Sequence, residues 1–316
     1  MKRIKGGEAF MSKPNIFGGT RFKSRENMEK LPLVFMLLPF FLLFGVFTVL
    51  PILSSVVLSF FNYDMVHQLE FAGLGNYITM LLEDDVFWIC VKNTVLFAVI
   101  TGPIGFLLSF VLAWMINELG RGMRTVLSFL FYSPALMGNV YFIWQVLFSG
   151  DSYGYVNSML MSMGLIFEPI QWFKDPDYAF TLVMIVQLWC SMGVSFLANI
   201  SGLQNVNPEM YEAGAIDGIR NRWVELWYIT LPSMKEIILF SCVMQIQSAF
   251  SVSGIASTLC GYPSVNYCAD TLVTLLTDIG GTRYEMGLAA AMSVFLFAIM
   301  AFTRVVIGKA VASLGK

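Results

Sequence analysis

Residues 93–117 read NTVLFAVITGPIGFLLSFVLAWMIN, and none of these side chains carries a charge. An apolar helix of about 20 residues is long enough to cross the hydrocarbon core of a bilayer. Five other uncharged runs of comparable length lie between charged residues, at 31–63, 125–150, 178–208, 237–269 and 286–303. The pattern predicts an all-α membrane protein whose residues 31–316 form six transmembrane helices. Residues 1–30 are predicted to be a basic cytoplasmic segment.

The composition agrees with this class. Hydrophobic residues make up 57% of the 316 residues, charged residues 13%, and the mean hydropathy is +0.71. Globular domains carry about 25% charged residues, roughly twice as many. A soluble protein with a large core would need flanking amphipathic helices, which this sequence lacks.

Lysine and arginine indicate the orientation. Of the 19 Lys and Arg residues, only Lys92, Lys174 and Arg283 fall on one side of the predicted bundle. The other side includes the eight in residues 1–30. Because positive residues collect in cytoplasmic loops, both termini are predicted to be cytoplasmic, in a multi-pass protein of the cell membrane. No cleaved signal peptide is expected, since the first apolar run is long enough to remain in the membrane.

Little in the sequence is typical of an enzyme. The single histidine, His67, falls in a predicted outer loop, where a solvated surface residue is the simplest interpretation. The five cysteines lack zinc-ligand spacing, and Cys260 and Cys268 near the outer face are either a disulfide or two thiols. We therefore expect no catalytic residue and no metal site. A membrane channel or scaffold is the alternative from another class, although no filter-like loop or charged ring is evident.

Charged residues and glycines are closely spaced in one segment between two apolar runs, residues 207–232, NPEMYEAGAIDGIRNRWVELWYITLP. Asn207 suits a helix N-cap, Pro208 the first helical position, and Gly218 the end of the helix. The intervening helix would be about 15 Å long, which is too short to cross a membrane. Ala213 and Gly214 would let another surface approach closely beside the acidic Glu212. The alternative is a solvated connecting loop.

The same stretch resembles the EAA loop of ABC-importer permeases. That pattern is Glu-Ala-Ala, three residues, Gly, nine residues, then Ile-x-Leu-Pro. This chain has Glu212-Ala213-Gly214, Gly218 and Ile229-Thr230-Leu231-Pro232. It departs from the pattern twice, with Gly214 in place of the second Ala and with ten residues between Gly218 and Ile229.

The resemblance covers nearly the whole chain and points to the carbohydrate branch, in particular to the first permease of a maltose-type pair. Similar segments are SFFNYD at 59–64, GLGNY at 73–77, Asn93-Thr94, YSPALMGNVYFIWQVLF at 132–148 and YEMGLAAAMS at 284–293. The usual Gly-Gly-Pro after the fifth helix is replaced by CGYPS.

The resemblance implies the type I importer permease fold, alternating access, and a cytoplasmic coupling helix that docks on an ATPase. It assigns that docking to Glu212, Ala213, Gly214, Asp217 and Gly218. The implied partners are a second related permease, an ABC ATPase dimer, an external solute-binding protein and the lipid bilayer, with no nucleic acid. Because this chain has no Gly-Lys-Ser or Gly-Lys-Thr, ATP and Mg²⁺ are expected on the partner ATPase and no cofactor on this chain.

Polar residues inside the predicted helices suggest where a solute passes. They are Asn139, Gln145, Gln187, Ser191, Ser241, Gln245 and Ser248. Amides and hydroxyls match sugar hydroxyls, and Trp144, Trp189 and Trp172 offer aromatic platforms. Hydrogen bonds between helices are the alternative role for each polar residue. The helices lack internal charges, which favours a neutral solute, although a permease for glycerol phosphate or an amino acid stays possible.

Overall fold

The structure is a computed structural model that describes residue 32 and residues 35–313, with side-chain exposure given up to residue 309. The predicted basic segment 1–30 lies outside the described residues.

The described chain is built from helices of very different lengths. In chain order they are α1 (Phe35–Leu58), α2 (Gly75–Ile78), α3 (Asp85–Asn117), α4 (Arg121–Leu136), α5 (Phe142–Leu147), α6 (Tyr155–Ser162), α7 (Pro176–Cys190), α8 (Val194–Asn205), α9 (Pro208–Ile216), α10 (Arg222–Glu225), α11 (Leu231–Ser233), α12 (Lys235–Phe250), α13 (Gly254–Cys260), α14 (Leu272–Gly281) and α15 (Met286–Ser313). Between α1 and α2, the strands β1 (Phe61–Asn62) and β2 (Glu70–Phe71) pair antiparallel.

Five segments of the described chain are long and apolar enough to cross a membrane. They are Phe35–Leu58, Asp85–Asn117, Pro176–Asn205, Lys235–Cys260 and Met286–Lys309. These segments correspond to five of the six predicted helices. The protein is therefore a multi-pass, mostly helical membrane protein, as its sequence predicts.

The third predicted helix, over 125–150, differs from the expectation. It is divided into α4 and α5, and α4 has only 16 residues. Pro134 lies in the last turn of α4, and Met137 then takes an extended conformation with φ −91° and ψ 113°. Proline removes one helical hydrogen bond and crowds the preceding turn, which favours an interruption here. The count of six spanning helices stays a prediction.

The long helix α3 is the centre of the packing, with α8 and α12 against it and against each other. One face of α3 carries small buried residues four positions apart: Thr101, Gly105, Ser109 and Ala113. Helices pack closely in membranes where small residues let their backbones approach. This stripe therefore explains how three helices share one contact region.

Asn93 and Thr94 join α3 to the loop that precedes α14. The Asn93 Nδ2 donates to the carbonyl oxygens of Tyr267 and Asp270, each at 2.9 Å. The Leu272 N–H donates to Thr94 Oγ1 at 2.8 Å. This pair lies inside α3, eight residues after its start. Its role in the structure is to hold the loop that precedes α14 against the bundle.

The start of α15 lies against β1. Asn76 Nδ2 donates to the Ser59 carbonyl at 3.0 Å and to the Phe61 carbonyl at 2.8 Å. A Cβ added at Gly287 would collide with the same Phe61 oxygen. Glycine at position 287 therefore permits the backbone of α15 to approach this turn.

We expect Gly287→Ala to lower the thermal unfolding midpoint of the detergent-solubilised protein by several degrees. Overpacking against a backbone atom typically costs about 1–3 kcal/mol. Gly281→Ala is the matched control, because a Cβ there meets no atom within 4 Å. Equal midpoints for the two variants, measured by tryptophan fluorescence, would contradict this account of Gly287.

Candidate functional site

A cavity of about 360 Å³, here called the inner cavity, lies where several helices are interrupted. Its described lining is Tyr132, Pro134, Ala135, Met137, Gly138, Val140, Tyr141, Cys190, Ser191, Gly193, Val194, Ser195, Met244, Gln245, Ser248 and Ile255. Two helix interruptions line the cavity directly. One is the turn between α4 and α5, and the other is residues Ser191–Gly193 between α7 and α8. A third break, at residues 251–253, separates α12 from α13, which also line the cavity.

Non-helical backbone at membrane depth is tolerated where it is buried in protein or faces a water-filled cavity. The clustering of these breaks around one cavity follows that rule. Discontinuous helices that meet in this way also form the solute sites of many transporters. The inner cavity is thus a candidate solute site.

A hydrogen-bonded network fixes the polar residues beside the inner cavity. Gln187 Nε2 donates to the Ser248 carbonyl at 3.2 Å, and Ser195 Oγ donates to Gln245 Oε1 at 2.9 Å. Ser241 Oγ donates to the Ser195 carbonyl at 3.3 Å. The structure therefore brings five predicted path residues into one region: Gln187, Ser191, Ser241, Gln245 and Ser248.

These five residues do not all face the cavity. Ser191, Gln245 and Ser248 line it, whereas Gln187 and Ser241 support it from behind through the bonds above. The Gln245 Nε2 has no hydrogen-bond partner in the described part of the chain, and it packs against Gly105, where an added Cβ would collide with it. Gln245 thus presents a free N–H donor while its carbonyl oxygen is held by Ser195.

Asn139 and Gln145 lie apart from this network. Asn139 is exposed in the break between α4 and α5, and its Oδ1 accepts a bond from the Tyr141 hydroxyl at 2.8 Å. Gln145 lines a second cavity of about 730 Å³, here called the outer cavity, together with Trp172.

The tryptophans are also distributed differently from the expectation. Trp144 and Trp189 contact each other edge to face, with ring centroids 5.8 Å apart. Neither is among the residues that line the inner cavity, where Tyr132 and Tyr141 supply the aromatic surface. Trp172 lines the outer cavity, whereas Trp144 and Trp189 are among the residues of neither cavity.

The electrostatics of the inner cavity are simple. None of its described lining residues is Asp, Glu, Lys, Arg or His. Its polar groups are hydroxyls, one amide and the backbone of the helix breaks. Such a lining hydrogen-bonds a polar solute without attracting either sign of charge.

The segment α9 has the predicted boundaries. The Asn207 side chain accepts a bond from the Glu209 N–H at 3.1 Å, and Pro208 occupies the first helical position. After Ile216 the chain leaves the helix, and Gly218 adopts φ +91°. A side chain would be strained at that φ, so glycine ends the helix there.

The two sides of α9 have different surroundings. Tyr211 faces the bundle, with its hydroxyl 3.2 Å from Thr230 Oγ1, and Gly214 is buried against Ile229. Glu212, Ala213, Asp217 and Gly218 are exposed. Ile216, which the sequence reasoning overlooked, is 87% exposed on the same open side.

Gly214 requires a correction. The small residue was expected to admit a partner protein, but a Cβ at this position would lie only 2.5 Å from Ile229 Cδ1 of the same chain. The glycine therefore accommodates the trailing segment of its own loop. Of the five predicted coupling residues, four remain accessible to a partner.

The single histidine, His67, lies between β1 and β2 and is paired with an acid. His67 Nδ1 lies 2.6 Å from Asp64 Oδ2, and the His67 side chain is 81% exposed. Bonds from the His67 backbone N–H and side chain lower the pKa of Asp64 to about 2, and the carboxylate raises the pKa of His67. In this exposed turn the pair fixes local structure, as expected for a surface histidine.

Residues 102–314 match the family described as binding-protein-dependent transport system inner membrane component. The chain belongs to this family. The lactose transport system permease protein LacF of Rhizobium radiobacter is 34% identical over 207 residues, which are 65% of this chain and 68% of LacF. The arabinooligosaccharides transport system permease protein AraP of Bacillus subtilis is 28% identical over 264 residues, or 83% and 82% of the two chains.

The fold of this inner membrane component is also that of solved importers. A chain of a bacterial ABC transporter involved in the import of the acidic polysaccharide alginate superimposes with a TM-score of 0.76 and 22% identity. The match covers 93% of this chain and 100% of the other. A second structure, in complex with an alginate pentasaccharide-bound periplasmic protein, gives the same TM-score over 92% and 98% of the chains.

Sequence reasoning missed several residues of the site. Gly105 and Ser195 hold Gln245 in place, and Tyr141 lines the inner cavity. The four-residue spacing of small side chains in α3 was a usable signal for Gly105. The positions of Ser195 and Tyr141 at the cavity depend on where the helices are interrupted, and no local sequence pattern predicted those interruptions.

We expect Gly214→Ala to weaken the packing of α9 on its trailing segment and to lower the thermal midpoint of the solubilised protein. Ile229→Val removes the Cδ1 atom that the new methyl group would meet. The double variant should therefore recover part of the loss, giving a positive coupling in a double-mutant cycle. Strictly additive effects of the two substitutions on the unfolding midpoint would show that the contact does not matter.

Proposed function

We propose that this chain is a permease subunit of an ATP-driven importer and forms half of the translocation path for a neutral sugar or oligosaccharide. The observation that carries the proposal is the inner cavity, where broken helices present hydroxyl and amide groups without a charged side chain. Membership of a family of binding-protein-dependent transport components supports a role in transport.

The relatives support a carbohydrate as the solute. LacF belongs to a lactose transport system and AraP to an arabinooligosaccharide transport system. The free Gln245 Nε2 and the Ser191 and Ser248 hydroxyls suit the alternating donors and acceptors of a sugar ring. Tyr141 offers the aromatic surface on which a ring can stack.

The charge-free lining disfavours the other solutes considered. A glycerol phosphate or an amino acid carries formal charges, whose burial without a partner is costly. This chain offers no Lys, Arg, Asp or Glu among the described residues of the inner cavity. A channel or scaffold is less well supported, because the cavity lies among interrupted helices of a transport-permease family.

The proposed complex contains a second, related permease, a cytoplasmic ABC ATPase dimer and an external solute-binding protein. ATP and Mg²⁺ are bound by the ATPase subunits, since this chain lacks the Gly-Lys-Ser/Thr phosphate loop. Both termini are cytoplasmic, which places α9 on the side of the ATPase. The solute path opens alternately to the two sides of the membrane.

In this proposal α9 is the coupling helix. Glu212, Ala213 and Asp217 present its open side to the ATPase, and the exposed Ile216 adds an apolar contact. Gly218 sets the direction in which the chain leaves the helix. Gly214 acts inside the loop, by seating Ile229.

Transport assays of the reconstituted complex test the proposal. Proteoliposomes containing both permeases and the ATPase dimer are supplied with binding protein and internal ATP, and with labelled lactose, arabino-oligosaccharides, glycerol phosphate or an amino acid. We expect ATP-dependent accumulation of a neutral sugar and none when the ATPase is inactivated. Accumulation of only the charged solutes, or sugar uptake that persists without an active ATPase, would refute it.

The coupling role predicts a defect in Gly218→Val. A β-branched residue at φ +91° is strained, so the helix end is displaced while membrane insertion is unaffected. We expect at least a tenfold loss of uptake and of solute-stimulated ATP hydrolysis. Gly218→Asn is the matched control, because asparagine tolerates this conformation and should retain most activity. Wild-type rates for the valine variant would disprove the role of this residue.

A further inference from the structure

We propose that the outer cavity is a second carbohydrate subsite, which holds one ring of an oligosaccharide while the inner cavity holds another. This inference rests on the proposed function and extends it from a single solute site to a path with two consecutive sites. The outer cavity has a volume of about 730 Å³, twice that of the inner cavity.

The two cavities share two walls. On the first wall Tyr141, at the start of α5, lines the inner cavity and Gln145 lines the outer one. On the second wall, formed by α13, Ile255 lines the inner cavity and Leu259 lines the outer one. Four residues span roughly one helical turn, or about 6 Å. The cavities are therefore neighbours along both walls, close enough for one oligosaccharide to reach both.

The lining of the outer cavity combines aromatic and polar groups. Phe148 contacts Trp172 and Phe173 edge to face, with ring centroids 5.5 and 6.4 Å apart. Gln145 and Gln171 are exposed around these rings. An aromatic surface surrounded by planar amides suits the apolar face and the equatorial hydroxyls of a sugar ring.

The charges of the outer cavity favour a neutral ligand. Asp151 and Lys174 both line it and carry opposite charges. They can hydrogen-bond hydroxyl groups, but together they give the cavity no net attraction for an ion. This distinguishes the cavity from an anion site, and it matches the charge-free lining of the inner cavity.

A buried asparagine holds the outer cavity in shape. Asn157 is fully buried, and its Nδ2 donates to the carbonyl oxygens of Ser149, Asp151 and Ile170 at 3.0–3.2 Å. Its Oδ1 accepts bonds from the Ile170 N–H at 3.2 Å and the Trp172 Nε1 at 2.9 Å. One side chain thus fixes both loop segments and the aromatic ring. A preorganised cavity of this kind loses less entropy when it binds a ligand.

The concave shape favours a small solute over the surface of a docking protein. Pockets for small ligands enclose roughly 300–1,000 Å³, whereas stable protein interfaces bury about 800 Å² on each partner. The outer cavity lies within the first range. Docking of the binding protein at this position is the competing explanation, and the experiment below separates the two.

The test measures how the uptake rate depends on oligosaccharide length. The complete reconstituted complex is supplied with saturating binding protein loaded with one to four rings of the arabinose or the glucose series. Gln145→Leu and Thr258→Val remove hydrogen-bonding groups from the two walls, α5 and α13, with little change in volume. Gln68→Leu and Thr79→Val are the matched controls, since both residues are exposed and line neither cavity. The affinity of each complex for the binding protein and its thermal midpoint are measured in parallel.

For both cavity variants we expect the uptake rate of the tetrasaccharide, relative to the monosaccharide, to fall about three- to tenfold, as for a lost hydrogen bond. The controls should keep the wild-type ratio. An unchanged ratio in folded variants, with sugar uptake by the wild type intact, overturns the outer subsite and leaves the proposed function standing. A loss that is equal for all lengths, together with weaker binding-protein affinity, overturns it in favour of docking. No sugar uptake by the wild type overturns both proposals.

Discussion

The structure depends on one constraint: backbone N–H and C=O groups inside a bilayer need partners within the protein. Continuous helices satisfy it along α3 and along most of α15. The same constraint limits where a helix can be interrupted, because each break releases backbone groups that lipid does not solvate. In this chain the breaks after α4, α7 and α12 converge on the inner cavity. The need to satisfy the backbone thus locates the polar region of the bundle.

The small residues of α3 make this convergence possible. Because Gly105 has no side chain, Gln245 of α12 reaches the surface of α3, where Ser195 of α8 fixes its carbonyl oxygen. A larger residue at 105 would displace the amide that faces the inner cavity. The close packing of these helices therefore also fixes the position of the Gln245 amide. Packing residues that line no cavity can thus determine which polar groups the inner cavity presents.

The uncharged runs were enough to identify the membrane class, and the capping residues at Asn207, Pro208 and Gly218 were enough to locate α9. Both signals are local, since each depends on the residue types within one helix. The interruption at Pro134 was harder to predict, because prolines at positions 39, 51 and 103 also lie within predicted helices and Pro103 leaves α3 unbroken. Whether a proline ends a membrane helix depends on the neighbours that take over its lost bond, and those neighbours are distant in sequence.

The position of Gly214 was also beyond local reasoning. A small residue in an exposed helix suggests a surface for a partner, but the contact that matters comes from Ile229, fifteen residues later. The missing methyl at position 214 leaves room for the Ile229 side chain, because a Cβ there would lie only 2.5 Å from Ile229 Cδ1.

The loop around α9 is continuous with the walls of the inner cavity. It begins at the end of α8 and leads through α11 to the start of α12, and both helices line that cavity. Inside the loop, Tyr211 and Thr230 join its two arms, while Leu203, Leu226 and Met234 belong to one buried cluster. A force applied to α9 therefore acts on two cavity walls through packed side chains rather than through a flexible linker. Densely packed interiors change by discrete repacking and not by gradual deformation. In the proposed alternating-access mechanism, this packed connection would let the short helix α9 act on the inner cavity.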